Sequence, residues 1–437
     1  MKHLYIKTFG CQMNSYDSTR MADLLGESHA FQSTDDPEKA DLIILNTCHI
    51  REKAEDKLFS ELGRLRPLAE RGVILAVGGC VGQAEGRTIF SRAPYVRMVF
   101  GPQNYHKLPQ MIQRALDGET RVIAEDIPSV DKFDNLPQVR AQGVVGQVTV
   151  QEGCDKFCAF CVVPYTRGRE WSRPVAAILA ETEALAQQGV REVLLLGQNV
   201  NAYAGVDEEG VSYDLALLIR RVALIEGIER IRFVTSHPVD MNEDLVEVFG
   251  EIEQLAPYLH LPIQSGSDAI LAAMQRGHTV EEYCTWVEKV RAVCPDVALA
   301  SDFIVGFPGE TEQDFQATLD LISRLGFDHA YSFKYSSRPG TPAADMPEQV
   351  DEAEKSRRLE RLQQLLNTQQ LQRNKARVGR RESVLVEGVS KKRDGELSGR
   401  SGTLRTVNFA GPVALIGQFV DVEIVEGLPN SLRGRLV

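Results

Sequence analysis

Just after the expected strand Val148–Gln151 the chain reads Cys154-Asp-Lys-Phe-Cys158-Ala-Phe-Cys161, a C-x3-C-x2-C loop. No other feature limits the fold as strongly, because three thiols on one short loop need a scaffold that opens where a strand ends. Thiolates at this spacing can hold three irons of a cubane cluster and leave the fourth without a protein ligand. The amino and carboxylate groups of S-adenosylmethionine can chelate such an open iron, which sets the sulfonium beside a reductant. A zinc knuckle is the alternative, but zinc sites usually add a fourth Cys or His close by, and none follows here.

The flanking pattern supplies a scaffold of that kind. Strands are expected at Val148–Gln151, Val193–Leu196, Arg232–Val234, Leu259–Ile263, Ala298–Val305 and His329–Lys334, with helical patterns between them. Six β/α units fall short of the eight that close a full barrel, so a partial barrel is expected, with its site at the strand carboxyl ends. Upstream, strands at Leu4–Phe9, Leu42–Leu45, Val73–Val77 and Val96–Phe100 alternate with helices from about Ser15 and from about Glu52 to Arg71. That alternation predicts a parallel α/β sandwich. Cys11, Cys48 and Cys80 each follow one of its first three strands, where open sheets gather their ligands. Free cysteines are often only small buried hydrophobes, but these three are flanked by Gly or polar residues. From Glu382 onward short β-rich runs separated by Gly predict a small all-β barrel. The expected organisation is α/β overall: an N-terminal domain over 1–128, a linker over 129–146, the partial barrel over 147–368 and the β-barrel over 371–437.

A length of 437 residues fits two or three domains, and 43% hydrophobic with 25% charged residues fits a globular chain. No signal segment and no run of roughly 18 apolar residues is visible, so the expected compartment is the cytoplasm, without a membrane. There, cysteines serve more often as metal ligands or nucleophiles than as disulfides. Cys284 and Cys294 fall on or just after a helical pattern and are expected to pack, not to ligate. The net charge of −12 hides an asymmetry, since residues 371–437 hold 12 Lys and Arg against 7 Asp and Glu and so stand at +5. RNA is therefore expected at the C-terminal piece.

The C-x3-C-x2-C loop opening a partial barrel resembles the radical S-adenosylmethionine superfamily. Further motifs resemble its methylthiotransferase family: Gly10-Cys11-Gln12-Met13-Asn14, Asn46-Thr47-Cys48 with Arg51-Glu52-Lys53-Ala54, Gly78-Gly79-Cys80-Val81, and Pro164-Tyr165-Thr166-Arg167-Gly168. Leu196–Asn201, Thr235-Ser236-His237-Pro238, Ser301–Thr311, Ser337–Ala343 and the ending Pro429–Gly434 extend the likeness over essentially the whole chain. Within the family the similarity points to the branch acting on isopentenyladenosine next to the anticodon of tRNA. Relatives acting on threonylcarbamoyladenosine or on a ribosomal-protein aspartate, and a metal-stabilised RNA-binding protein, are the alternatives.

The resemblance implies two [4Fe–4S] clusters, one on Cys154, Cys158 and Cys161 and an auxiliary one on Cys11, Cys48 and Cys80, together with S-adenosylmethionine. One S-adenosylmethionine would methylate sulfur at the auxiliary cluster and a second would be cleaved to the radical that activates C2 of the adenine. An electron donor such as a flavodoxin or ferredoxin is implied, and a monomer is expected. Candidate S-adenosylmethionine contacts are Gly197, Gln198, Asn199, Ser236, Gln264 and Gly306, which could equally be ordinary βα turns. Arg167 is assigned to the cofactor or RNA, with a surface salt bridge as the alternative. In the C-terminal segment, which resembles a TRAM module, Lys391, Lys392, Arg393 and Arg400 with an exposed Phe409 are the candidate RNA contacts; a solvated charged loop would look similar.

Overall fold

The computed structural model describes residues 2–49, 54–127, 132–391 and 393–437. They form two compact units, the first made of Met1–Arg140, Gln151–Lys156 and Cys161–Trp171, the second of Ala141–Val150, Phe157–Phe160 and Ser172–Val437.

The first unit contains, in chain order, β1 (Lys2–Phe9), α1 (Gln12–His29), β2 (Phe31–Ser33), β3 (Leu42–Thr47), α2 (Ala54–Glu70), β4 (Ile74–Gly79), α3 (Cys80–Glu85), β5 (Met98–Phe100), α4 (Leu108–Leu116) and β6 (Val122–Ala124). The strands pair in the order β2-β1-β3-β4-β5-β6, all parallel. Every residue of β3, LIILNT, is buried, as a strand covered on both faces requires. One apolar layer joins Leu4, Ile44 and Ala76 to Met21 and Leu25 of α1, and the opposite layer joins Ile43, Leu45 and Val77 to Leu58 and Leu62 of α2. The strand order turns back between β1 and β3, so a crevice lies beyond their carboxyl ends.

The second unit begins with six parallel strands: β7 (Val145–Thr149), β8 (Glu192–Leu196), β9 (Arg230–Phe233), β10 (Tyr258–His260), β11 (Ala298–Val305) and β12 (His329–Lys334). They form two three-stranded sheets, β9-β8-β7 and β10-β11-β12. Helices follow the strands, and two of them, α5 (Val280–Val293) and α6 (Glu312–Leu325), begin with capping boxes at Thr279/Glu282 and Thr311/Asp314 that satisfy their first backbone N–H groups. Helix α7 (Glu352–Lys375) leads to a closed barrel of β13 (Arg381–Val389), β14 (Glu396–Ser401), β15 (Thr406–Ala410), β16 (Phe419–Gly427) and β17 (Leu432–Leu436).

This barrel is docked against the amino-terminal ends of the partial barrel's strands. Arg230 donates to the carbonyls of Ser383 and Arg400, and Arg232 to those of Gly402 and Ser401, while Glu192 holds both guanidiniums at 3.2 and 3.0 Å. The His329 ring reaches the Thr403 carbonyl at 3.0 Å, and Arg405 pairs with Asp328. The loop after β14 is therefore buried docking surface.

Phe409 requires a correction. It is 1% exposed and sits in the barrel core with Val384, Val407, Val422 and Leu432. Strand alternation turns Val407 and Phe409 to the same face, and that face is the closed interior. Phe409 is thus no stacking platform for RNA.

Candidate functional site

The first cysteine set is assembled by strand pairing. Cys11 caps α1 just beyond β1, Cys48 follows β3 and Cys80 opens α3 directly after β4. Because β1, β3 and β4 are neighbours in the sheet, residues far apart in sequence meet along one edge. The Cys48 amide donates to the Phe9 carbonyl at 2.7 Å. A Cβ on Gly10 would lie 2.9 Å from Cys48 Cβ, so glycine is what lets the two loops approach. Asn14 and Asn46 brace the loops, with Asn14 Nδ2 donating to Asn46 Oδ1 at 3.1 Å and Asn46 Nδ2 to the Asn14 carbonyl at 2.8 Å. A hydrogen bond with Cys48 draws the Cys11 thiol down to about 6 against its burial, and the charge of Arg167 adds to the effect. Burial pushes the Cys80 thiol up, with Arg167 opposing.

Arg167 does not lie on a surface. It is 3% exposed, and its guanidinium reaches Asp17 Oδ2 at 2.7 Å and Glu152 Oε1 at 3.5 Å. Lys132 bridges the same two carboxylates, at 3.5 Å to Asp17 and 2.5 Å to Glu152. Gln103 Nε2 donates to Glu152 Oε2 and to the Arg167 carbonyl. Burial disfavours the Glu152 carboxylate, but the cations of Lys132 and Arg167 outweigh it and hold that carboxyl below its usual range. Two cations and two anions thus balance beneath the thiols, and Arg167 turns positive charge toward Cys11 and Cys80. Nothing in the sequence marked Asp17, Lys132 or Glu152, which only the fold unites.

These residues fit an iron–sulfur cluster. The donors are soft thiols, one is readily ionised, and a buried cation faces the negative charge that thiolates would bring. Among the described residues no three His, Cys, Asp or Glu groups converge on a single metal ion. A cluster makes no such demand, since each cysteine binds a different iron.

Of the second set, Cys154 and Cys161 belong to the first unit and Cys158 to the second. The Cys154 amide donates to the Gly168 carbonyl at 3.3 Å. Cys158 is 7% exposed and accepts a hydrogen bond from Arg276 Nη1 at 3.4 Å. The Ala159 amide donates to the Met274 carbonyl and its own carbonyl accepts from the Ala343 amide, each at 2.9 Å. This half of the loop is thereby held to the carboxyl end of the barrel. Arg276, missed in the sequence, is 118 residues from Cys158.

The expected S-adenosylmethionine contacts lie beyond strand carboxyl ends of the second unit. Gly197 and Gln198 follow β8, and Asn199 donates to Asp240 Oδ2 at 2.7 Å. Ser236 lies beyond β9, and its buried Oγ has no hydrogen-bond partner among the described residues. Gln264 holds a left-handed backbone with φ of 80°, kept in place by hydrogen bonds to Asp302 and Ile304. Gly306, with φ of 71°, ends β11, and its amide donates to Glu310 Oε2 at 2.6 Å. The unpaired buried hydroxyl of Ser236 fits a polar ligand there. Lys391 and Arg393 are exposed, Arg393 is 3.9 Å from Glu396, and the half-buried Arg400 is 3.8 Å from Glu387. Lys392 lies outside the described residues. Cys284 is buried on α5 and Cys294 caps it.

Residues 3–101 match the description "Uncharacterized protein family UPF0004", residues 148–322 the radical SAM superfamily and residues 375–437 the TRAM domain. Fold and matches together define a radical S-adenosylmethionine enzyme, a class that carries a [4Fe–4S] cluster and S-adenosylmethionine. The chain is 56% identical to the tRNA-2-methylthio-N(6)-dimethylallyladenosine synthase of Chromohalobacter salexigens, over 100% of this chain and 98% of that one. It is 56% identical to the Methylococcus capsulatus protein of that name, over 99% and 95%. The chain belongs to the tRNA-2-methylthio-N(6)-dimethylallyladenosine synthase family. A solved structure of the radical S-adenosylmethionine methyltransferase TsrM from Kitasatospora setae shares the fold at a TM-score of 0.56, with 14% identity over 79% of this chain and 77% of that one. Among the described residues no helix is long and apolar enough to cross a membrane.

Proposed function

We propose that the chain adds a methylthio group to C2 of N6-isopentenyladenosine next to the anticodon of tRNA, in the cytoplasm. The observation that carries this reading is 56% identity, from end to end, to relatives named for that product. Two separate cysteine sets support it, since the product needs both a carbon-centred activation and a sulfur source.

Cys154, Cys158 and Cys161 would hold one cluster, which when bound supplies the electron that cleaves S-adenosylmethionine. Gly197, Gln198, Asn199, Ser236, Gln264 and Gly306 would orient that ligand through backbone groups and short polar side chains. Cys11, Cys48 and Cys80 would hold the auxiliary cluster, with Arg167 offsetting thiolate charge. Lys391, Lys392, Arg393 and Arg400 would meet tRNA phosphates. A small acidic protein carrying a flavin or iron–sulfur centre would supply electrons to a monomeric enzyme.

Nucleoside mass spectrometry of tRNA from a deletion strain tests this. Loss of the 2-methylthio mark from isopentenyladenosine, restored by the gene, is expected. Loss instead from threonylcarbamoyladenosine, or from a ribosomal-protein aspartate with tRNA unchanged, would overturn the substrate assignment. A colourless, zinc-loaded protein from anaerobic purification would overturn the enzyme reading.

A further inference from the structure

We infer that Arg276 sets the reduction potential of the cluster held by Cys154, Cys158 and Cys161, by donating a hydrogen bond to one ligating sulfur. The inference rests on the cluster assignment proposed above and concerns a residue outside every cysteine motif. Arg276 is buried, with Nη1 at 3.4 Å from Cys158 Sγ and Nη2 at 2.6 Å from the Pro262 carbonyl. Pro262 lies just beyond β10, so the strand end holds the guanidinium plane and the plane aims an N–H at the sulfur. The Arg276 carbonyl in turn accepts from the His278 ring at 3.1 Å, which ties down the backbone. Among the described residues the partners of the Arg276 guanidinium are Cys158 Sγ and the Pro262 carbonyl, and neither is a carboxylate. This separates it from Arg167, whose charge is shared with Asp17 and Glu152.

The physical consequence is directional. Reducing a cluster adds one negative charge, and a fixed cation with an N–H directed at a ligating sulfur stabilises the reduced form more than the oxidised form. Arg276 therefore raises the potential and makes the cluster easier to reduce by a weak donor. The same hydrogen bond fixes the Cys158 side chain, since the guanidinium fork is pre-organised before the sulfur is met. Arg276 is a positioning residue here, acting through Cys158 and not on the substrate.

The test is a potentiometric EPR titration of the full-length, anaerobically reconstituted holoenzyme with Arg276→Gln and Arg276→Lys. Because three cysteines leave an open iron in each cluster, the two are told apart with Cys48→Ala, which keeps only the cluster on Cys154, Cys158 and Cys161 and so identifies the signal that answers to S-adenosylmethionine there. Arg276→Gln is expected to move the midpoint of that cluster to more negative potential, and Arg276→Lys, which keeps the charge but not the fork, to move it less. The auxiliary midpoint should stay in place as an internal reference. An Arg276→Gln midpoint equal to wild type overturns the inference. If the variants fail to load, the wild type grown with 15N-guanidino arginine decides. A nitrogen coupling in the ENDOR spectrum of the reduced, S-adenosylmethionine-responsive cluster supports the contact, and its absence refutes it. A wild-type holoenzyme with no S-adenosylmethionine-responsive cluster would instead mean that the cluster assignment itself fails.

Discussion

The two cysteine sets reach the same number of thiols by opposite routes. Cys154, Cys158 and Cys161 are close because they are close in sequence, and the fold brings Arg276 to one of them. Cys11, Cys48 and Cys80 come together only when β1, β3 and β4 pair in parallel, and they rest on a balanced group of buried ions. A set fixed by local sequence does not depend on distant strands pairing. A set fixed by strand order is lost when the sheet opens, and it carries the cost of every charge buried beneath it.

The sharpest way to break this comparison is to remove one thiol from each set. Cys158→Ala should abolish reductive cleavage of S-adenosylmethionine, by at least about a hundredfold, and keep roughly half of the iron. Cys48→Ala should keep cleavage and lose methylthio transfer. Iron analysis with product chromatography checks both, and normal methylthio yield from the Cys48 variant would contradict the auxiliary role.

A substantial effect is also expected from Arg167→Met, which leaves Asp17 and Glu152 with Lys132 alone. Breaking a buried ion pair in this way costs about 3–5 kcal/mol. Urea unfolding should show the transition of the first unit at lower denaturant and that of the second unchanged. A single shared shift would mean that the two units unfold together.

A smaller effect, and one that should leave both cysteine sets intact, is expected from neutralising Lys391, Lys392 and Arg393 together. The log–log salt slope of tRNA binding should fall by up to about three units. Filter binding at several salt concentrations measures it, and unchanged iron content is part of the prediction.

The smallest effect concerns pH. Burial lowers the pKa of His329 to about 4, so between about 4 and the unfolded value near 6.5 the unfolded chain binds the proton and the folded chain does not. The contribution of His329 is therefore full above that window and is lost as pH falls through it. The urea midpoint of the second unit should drop between pH 7 and pH 5, and His329→Gln, which keeps a donor for the Thr403 carbonyl, should drop less.

How far the sequence could be read follows the same division. The six barrel strands, the longer strands of the first unit and the loop of Cys154, Cys158 and Cys161 are local patterns visible in the chain, whereas Cys11, Cys48 and Cys80 stood out through their places after strands and the family resemblance. The strands Phe31–Ser33 and Val122–Ala124 have three residues each, too few to show a period. Arg167 read as a surface or ligand residue because its partner Asp17 is 150 residues away in sequence. Phe409 misled because an alternating strand has two faces, and only closure of the barrel decides which one is inside. Arg276 was invisible because its partner lies across the second unit's fold.

The docking of the small barrel has a further consequence, one of reach. Arg230, Arg232, Asp328 and His329 hold it at the strands' starting ends, while Gly306 marks the finishing end of β11, which is eight residues long. At ~3.3 Å per residue that strand spans about 26 Å. An RNA that met both ends would therefore have to bridge that length. A folded arm of sufficient length would engage both ends at once, whereas a trinucleotide bearing the same base could occupy one end only and would forgo the grip of the other.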